Sequence, residues 1–143
     1  MIKTVYIGSD NHGYKFKKHL IRDLKQDGLV LVDLGVYKIE EQASLEVLGR
    51  EVGEKVSQDP ESIGILIQEK GLDMSIIADK MADVHSTVCL RAKEIEYDTQ
   101  NCNTVCLNQS CMDYPDSLLA VRKLIHYRNE HKQVPDSTKP SES

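Results

Sequence analysis

The sequence contains no tryptophan and a single phenylalanine, Phe16, beside six tyrosines. With so few aromatic side chains, Ile, Leu and Val must fill the core. Nor does any apolar run approach the ~20 residues that a membrane-spanning helix requires. The amino-terminal residues lead directly into a strand-like segment without the apolar region of a secretory signal, so a cytoplasmic protein with no membrane contact is expected. Cysteines are few: Cys89, Cys102, Cys106 and Cys111. Their spacing lacks the CxxC pairs of a structural zinc site, and a cytosolic chain has little use for disulfides, so they are expected to be small buried apolar side chains. His85, His126 and His131 show no paired ligand spacing, so no metal and no other cofactor is expected. Positive charge is also short. With 18 Lys and Arg against 23 Asp and Glu, the net charge is −5 and the pI about 5.5. There is no net positive field to release counterions from nucleic acid, and no nucleic-acid partner is expected. The one basic run, Lys15, Lys17, Lys18 and Arg22, reads as solvated helix surface.

What is present is the material of one folded unit. A chain of 143 residues, 40% hydrophobic and 29% charged, supports a single core. Residues 1–128 read as one domain. The stretch 129–143, with Pro135, Pro140 and several serines but no periodicity, reads as a tail that is mobile or docked on a partner. Lys3 to Gly8, KTVYIG, is short, β-branched and stopped by glycine, which predicts a buried strand. Tyr14 to Asp27 places Phe16, Leu20, Ile21 and Leu24 at helical spacing, and Gly28 ends it. Leu29 to Leu34 is a continuous apolar run, the pattern of a strand covered on both faces. Ala43 to Ser57 carries the helical stripe Leu45, Leu48, Val52 and Val56, and Pro60 marks the following turn. Ile63 to Ile67, IGILI, is the most apolar segment and is expected at the centre of the sheet. A helix over 71–80, a strand over 84–90, a short helix over 91–97, a strand over 103–107 and a helix over 114–127 complete the pattern.

Five alternations of strand and helix predict a three-layer α/β/α, Rossmann-like sandwich with a five-stranded parallel sheet. Such sheets bind ligands beyond the carboxyl ends of their strands, where the strand order reverses. The loops to inspect are therefore Ser9 to Gly13, Gly35 to Gln42, Gln68 to Gly71 and Leu90 to Glu94. The first offers a carboxylate and an imidazole, Asp10 and His12, ahead of a helix whose free N–H groups attract anions. The plainer alternative is that Asp10 or Asn11 only caps that helix.

Three segments resemble one known family. Ile7-Gly8-Ser9-Asp10-Asn11-His12-Gly13-Tyr14, with Lys17 after it, resembles the opening GSDHAG loop of type-B ribose-5-phosphate isomerases and their galactose-6-phosphate isomerase relatives. Asp33-Leu34-Gly35-Val36-Tyr37 resembles the DLG-x-Y that closes their second strand. Gly64-Ile65-Leu66-Ile67, then Gly71, Met74-Ser75 and Ala78-Asp79-Lys80, resembles their GILICGTGxGMSIAANK stretch. The likeness runs from about residue 2 to residue 127, in order and at nearly the family spacing. It implies aldose–ketose isomerisation of a pentose or hexose phosphate through an enediolate, at a site completed by a second subunit in a homodimer or a related hetero-oligomer. It also implies a cysteine thiolate as base, facing a glycine-rich turn whose N–H groups stabilise the oxyanion. Carried over by position, the catalytic candidates are Asp10, His12, Gln68, Glu69 and Asp73, and the substrate-binding candidates Ser9, Asn11, Gly71, Ser75 and Arg91.

The departures fall on the chemistry. Gln68 occupies the thiol position, and an amide can neither take nor relay a substrate proton. Glu69-Lys70-Gly71-Leu72-Asp73 replaces Gly-Thr-Gly-x-Gly, putting two carboxylates where an oxyanion would form. Asn11 stands at the family histidine, with His12 one place later. Thr99-Gln100 aligns with a His-Asn pair, and the arginine-rich carboxyl-terminal segment becomes His126 to Lys132. Some galactose-6-phosphate isomerases have two related subunits, one without the thiol, and this chain resembles that one. The expectation is a sugar-phosphate isomerase homologue of reduced or absent activity. The alternatives are an active isomerase using Glu69, Asp73 or His12 as base, and a purely structural interaction protein.

Overall fold

Alternation of apolar residues along three strands decides how the layers stack. In the computed structural model, which describes residues 1–37, 42–68, 86–89, 103–109 and 112–130, strand β1 spans Thr4–Asp10, β2 Val30–Tyr37, β3 Ser62–Gln68, β4 Ser86–Cys89 and β5 Thr104–Asn108. For Tyr37, residues 42–46, Gln68 and β4, that description is of the backbone. Val5 and Ile7 of β1, Ile63, Ile65 and Ile67 of β3, and Val105 and Leu107 of β5 share one buried cluster with Leu20, Leu24, Ala120, Val121 and Leu124. The intervening residues Tyr6, Leu66 and Cys106 pack on the other side with Leu48, Val52 and Val56. A period of two thus gives the sheet two apolar faces. Helix α1, Tyr14–Gln26, and helix α3, Tyr114–Glu130, cover the first face, and α2, Gln42–Ser57, covers the second.

All strand pairs are parallel, in the order β2-β1-β3-β5-β4. The three-layer sandwich and five-stranded sheet follow the sequence expectation, with IGILI in the middle strand. The expected helices over 71–80 and 91–97 lie outside the described residues, as do residues 131–143. Cys106 is fully buried in the second cluster, as a packing residue should be. Cys102 and Cys111 lie outside the described residues.

Three local differences have physical causes. β1 runs past Gly8 to Asp10 because Gly8 packs its bare Cα against Leu48, leaving the strand free to continue. β2 runs through Gly35 to Tyr37, with Gly35 at a φ of 103°, a conformation glycine adopts at little cost. Helix α3 continues three residues beyond its expected end at 127, through Asn129, whose side-chain oxygen accepts from the Ile2 N–H at 2.7 Å. Among the described residues no helix is long and apolar enough to cross a membrane.

Candidate functional site at the carboxyl ends of the strands

The chain leaves β1 toward β2 on one side and returns to β3 on the other, so strand order reverses between β1 and β3. A crevice beyond their carboxyl ends is the ordinary consequence. Register fixes what meets there. Ser9 pairs with Ile67, Ile67 with Leu107, and Gln68 with Asn108. On the other flank Ser9 pairs with Val36 and Asp10 with Tyr37.

The first loop is tightly built. Asp10 is fully buried and its Oδ1 accepts from the Gly13 N–H at 3.0 Å, capping a 3-10 turn, Asn11–Gly13, that runs into α1. The capping role weighed for Asp10 is therefore real, and its negative charge lies at the positive end of a helix. Asn11 and His12 are exposed on the turn. Gln109, just after β5, donates from Nε2 to the His12 carbonyl at 2.9 Å, tying the end of β5 to the first loop. Gly13 sits close over the strands: a Cβ there would lie 2.7 Å from Ile67 Cγ2 and 3.1 Å from Ser9 Cβ. Beneath it Ser9 is fully buried, and its Oγ has no hydrogen-bond partner among the described residues. An orphaned buried hydroxyl forfeits the hydration it had in the unfolded chain, a cost of ~1–3 kcal/mol.

Lys17 corrects the sequence reading. Taken for solvated surface, it is 1% exposed; its Nζ donates to Asp33 Oδ1 at 2.7 Å and to the Gly35 carbonyl at 3.1 Å. Lys15, Lys18 and Arg22 are exposed as expected. A lysine stem crosses apolar surface easily, and an acceptor on the next strand suffices to draw its head inward. Asp33 also accepts from the Gly35 N–H at 2.8 Å.

The structure thus brings together Ser9, Asp10, Asn11, His12 and the strand-end position Gln68. Glu69, Gly71, Asp73, Ser75 and Arg91 lie outside the described residues. Sequence reasoning missed Asn108 and Gln109. Nothing in a simple strand-helix alternation announces that β5 inserts beside β3, which is what carries them to this edge. A doubly wound α/β protein whose strand order reverses between the first and third strands is the class this geometry defines.

The chain belongs to the Ribose/Galactose Isomerase family, whose profile matches residues 5–134. It is 30% identical over 77 residues to ribose-5-phosphate isomerase B of Mycobacterium leprae, covering 54% of this chain and 48% of that protein. To D-erythrulose-4-phosphate isomerase 2 of Mycolicibacterium smegmatis it is 25% identical over 113 residues, covering 76% of this chain and 74% of the relative. Relatives from Rickettsia conorii and Rickettsia bellii are matched over 59% and 63% of their own length. Among solved structures, ribose-5-phosphate isomerase B of Mycoplasma genitalium, with bound ribulose-5-phosphate, superposes with a TM-score of 0.76 at 22% identity, covering 91% of this chain and 99% of that one.

Proposed function

We propose that this protein binds a sugar phosphate at the crevice between β1 and β3 and is a non-catalytic or weakly active member of its family, working in the cytoplasm as a homodimer or beside a related subunit. The observation that carries this reading is the residue at the end of β3. Gln68 follows Ile67, the partner of Ser9, and so stands at the strand reversal beside the Asp10 loop. An aldose–ketose isomerase needs there a base whose pKa lies near the working pH. A carboxamide has no such pKa. The relatives named for ribose-5-phosphate and D-erythrulose-4-phosphate, the ribulose-5-phosphate in the Mycoplasma genitalium structure and the galactose of the family description support a phosphorylated sugar of four to six carbons as ligand class.

Calorimetric titration of the purified chain with ribose 5-phosphate and galactose 6-phosphate, alone and mixed with a thiol-bearing relative, tests the binding. Heat that saturates with either ligand is expected. Absence of binding in every combination removes the sugar-phosphate reading. A coupled ketose-formation assay tests the other half. Turnover abolished by Glu69→Gln or Asp73→Asn would replace the non-catalytic reading with that of an isomerase using a carboxylate base.

A further inference from the structure

A buried lysine on the core-facing side of α1 is an expensive choice. Leu20 and Leu24, one and two turns further on, are fully buried, and an apolar residue at 17 would continue their stripe. Burying an ammonium is repaid only when its hydrogen bonds accomplish something that apolar packing would not, and fixing a register is the best attested case. Both acceptors of Lys17 lie on β2, at an irregularity. Ile7 pairs with Asp33 and Ser9 with Val36, two steps along β1 against three along β2, so β2 carries one extra residue between Asp33 and Val36. Asp33 stands before that bulge and Gly35, at φ 103°, within it. Lys17 Nζ bonds the Asp33 carboxylate and the Gly35 carbonyl, while the same carboxylate oxygen takes the Gly35 N–H. The three residues form a closed ring that secures both backbone polar groups of Gly35.

Without that ring, regular parallel pairing would slip β2 by one residue beyond Asp33. A slip of one residue turns every following side chain to the opposite face. The residues that follow are Val36 and Tyr37, the partners of Ser9 and Asp10 at the crevice.

We propose that Lys17 is a positioning residue for the strand-end site: by holding the β2 bulge through Asp33 and Gly35 it sets the register of Val36 and Tyr37 against Ser9 and Asp10. The ligand half of this inference rests on the sugar-phosphate reading; the structural half does not. Residue-resolved amide hydrogen exchange on Lys17→Met, which keeps a chain of similar length without the ammonium, decides the structural half. Exchange at Gly35, Val36 and Tyr37 is expected to accelerate about tenfold or more, with Ile65 and Val105 within about twofold of the parent. No acceleration at 35–37, or an equal rise in β3 and β5, overturns the proposal. Asp33→Asn, at a half-exposed carboxylate, is expected to give the same local pattern at smaller amplitude, and it decides the matter should Lys17→Met not fold. Titration with ribose 5-phosphate decides the ligand half: Lys17→Met is expected to bind about tenfold more weakly than the parent. Locally faster exchange with unchanged affinity would overturn the positioning role. A parent protein that does not bind the ligand would remove the sugar-phosphate reading and leave Lys17 to the exchange result.

Discussion

Ser9 and Gly13 show how much of this site depends on single atoms. The Ser9 hydroxyl is buried without a partner among the described residues, whereas the missing Cβ of Gly13 is what lets the turn lie on Ile67. The two positions should therefore respond in opposite directions to alanine. Ser9→Ala removes an unsatisfied polar group and keeps the Cβ, so stability should be unchanged or rise by up to ~1 kcal/mol. Gly13→Ala forces a methyl group into an occupied space and should cost ~1–3 kcal/mol. Urea denaturation of the two variants against the parent measures both. A loss beyond ~1 kcal/mol in Ser9→Ala would mean that the hydroxyl has found a partner. Lys17 carries the complementary lesson about legibility. Its spacing from Leu20 marks it as inward, but its residue type marks it as surface, and only the position of Asp33 on the neighbouring strand resolves the conflict. Asp10 was legible as a helix cap because its side chain acts on its own chain three residues away.

The helices and strands were far more legible than the way they meet. β3 reads as central from IGILI alone, and α1, α2 and α3 read from their stripes, because burial on a regular element repeats with the element's own period. Strand order does not repeat, so the insertion of β5 between β3 and β4 had no local signature. The same holds for the contact between α1 and α3, where the Tyr114 ring lies edge-on to Phe16 at 5.4 Å and to His19 at 5.6 Å. Tyr114 also donates to Asp23 Oδ2 at 2.6 Å, and Arg22 donates to the same carboxylate at 2.9 and 3.2 Å. The Arg22 bonds first, and the Tyr114 hydroxyl second, lower the Asp23 pKa from 3.8 to about 2. A depressed acid stabilises the fold above its unfolded pKa, and the contribution is lost as pH falls toward the folded value. The stability gap between the parent and Asp23→Asn should thus stay constant from neutrality to about pH 4 and close between about pH 4 and pH 2. Burial first, and Asp23 second, push the Tyr114 hydroxyl above the ordinary tyrosine range. That contribution is present below about pH 10 and disappears as the hydroxyl ionises at higher pH. Denaturant titrations at stepped pH read the first effect. An absorbance titration in which one tyrosine ionises late in the parent, and earlier in Asp23→Asn, reads the second. A gap that does not change between pH 4 and pH 2 would deny the carboxylate its depressed pKa.

For the molecule as a whole, the scaffold and the chemistry have different requirements. Two apolar faces, a strand reversal between β1 and β3 and a capped first turn suffice to build the crevice, and all are present. Isomerisation asks in addition for a base and for N–H groups preorganised around a developing oxyanion. In the sequence both requirements fall on the consecutive stretch from Gln68 to Asp73, which differs from the family pattern at the base and at two of the three glycines. If the preorganised turn contributes as much as the base, restoring one without the other should achieve little. Gln68→Cys alone is expected to leave ketose formation within about tenfold of the parent, because the substrate's developing enediolate oxyanion would still form at a stretch whose sequence carries Glu69 and Asp73 in place of two glycines. The combination Gln68→Cys, Glu69→Gly, Lys70→Thr and Asp73→Gly is expected to exceed the single variant by about a hundredfold or more, since removing one oxyanion donor costs ~10²–10³ in enzymes that rely on such donors. Coupled assays on parent, single and combined variants make the comparison. Full activity from the single substitution would show that the thiol alone was wanting and that the turn, as it stands, already serves the oxyanion.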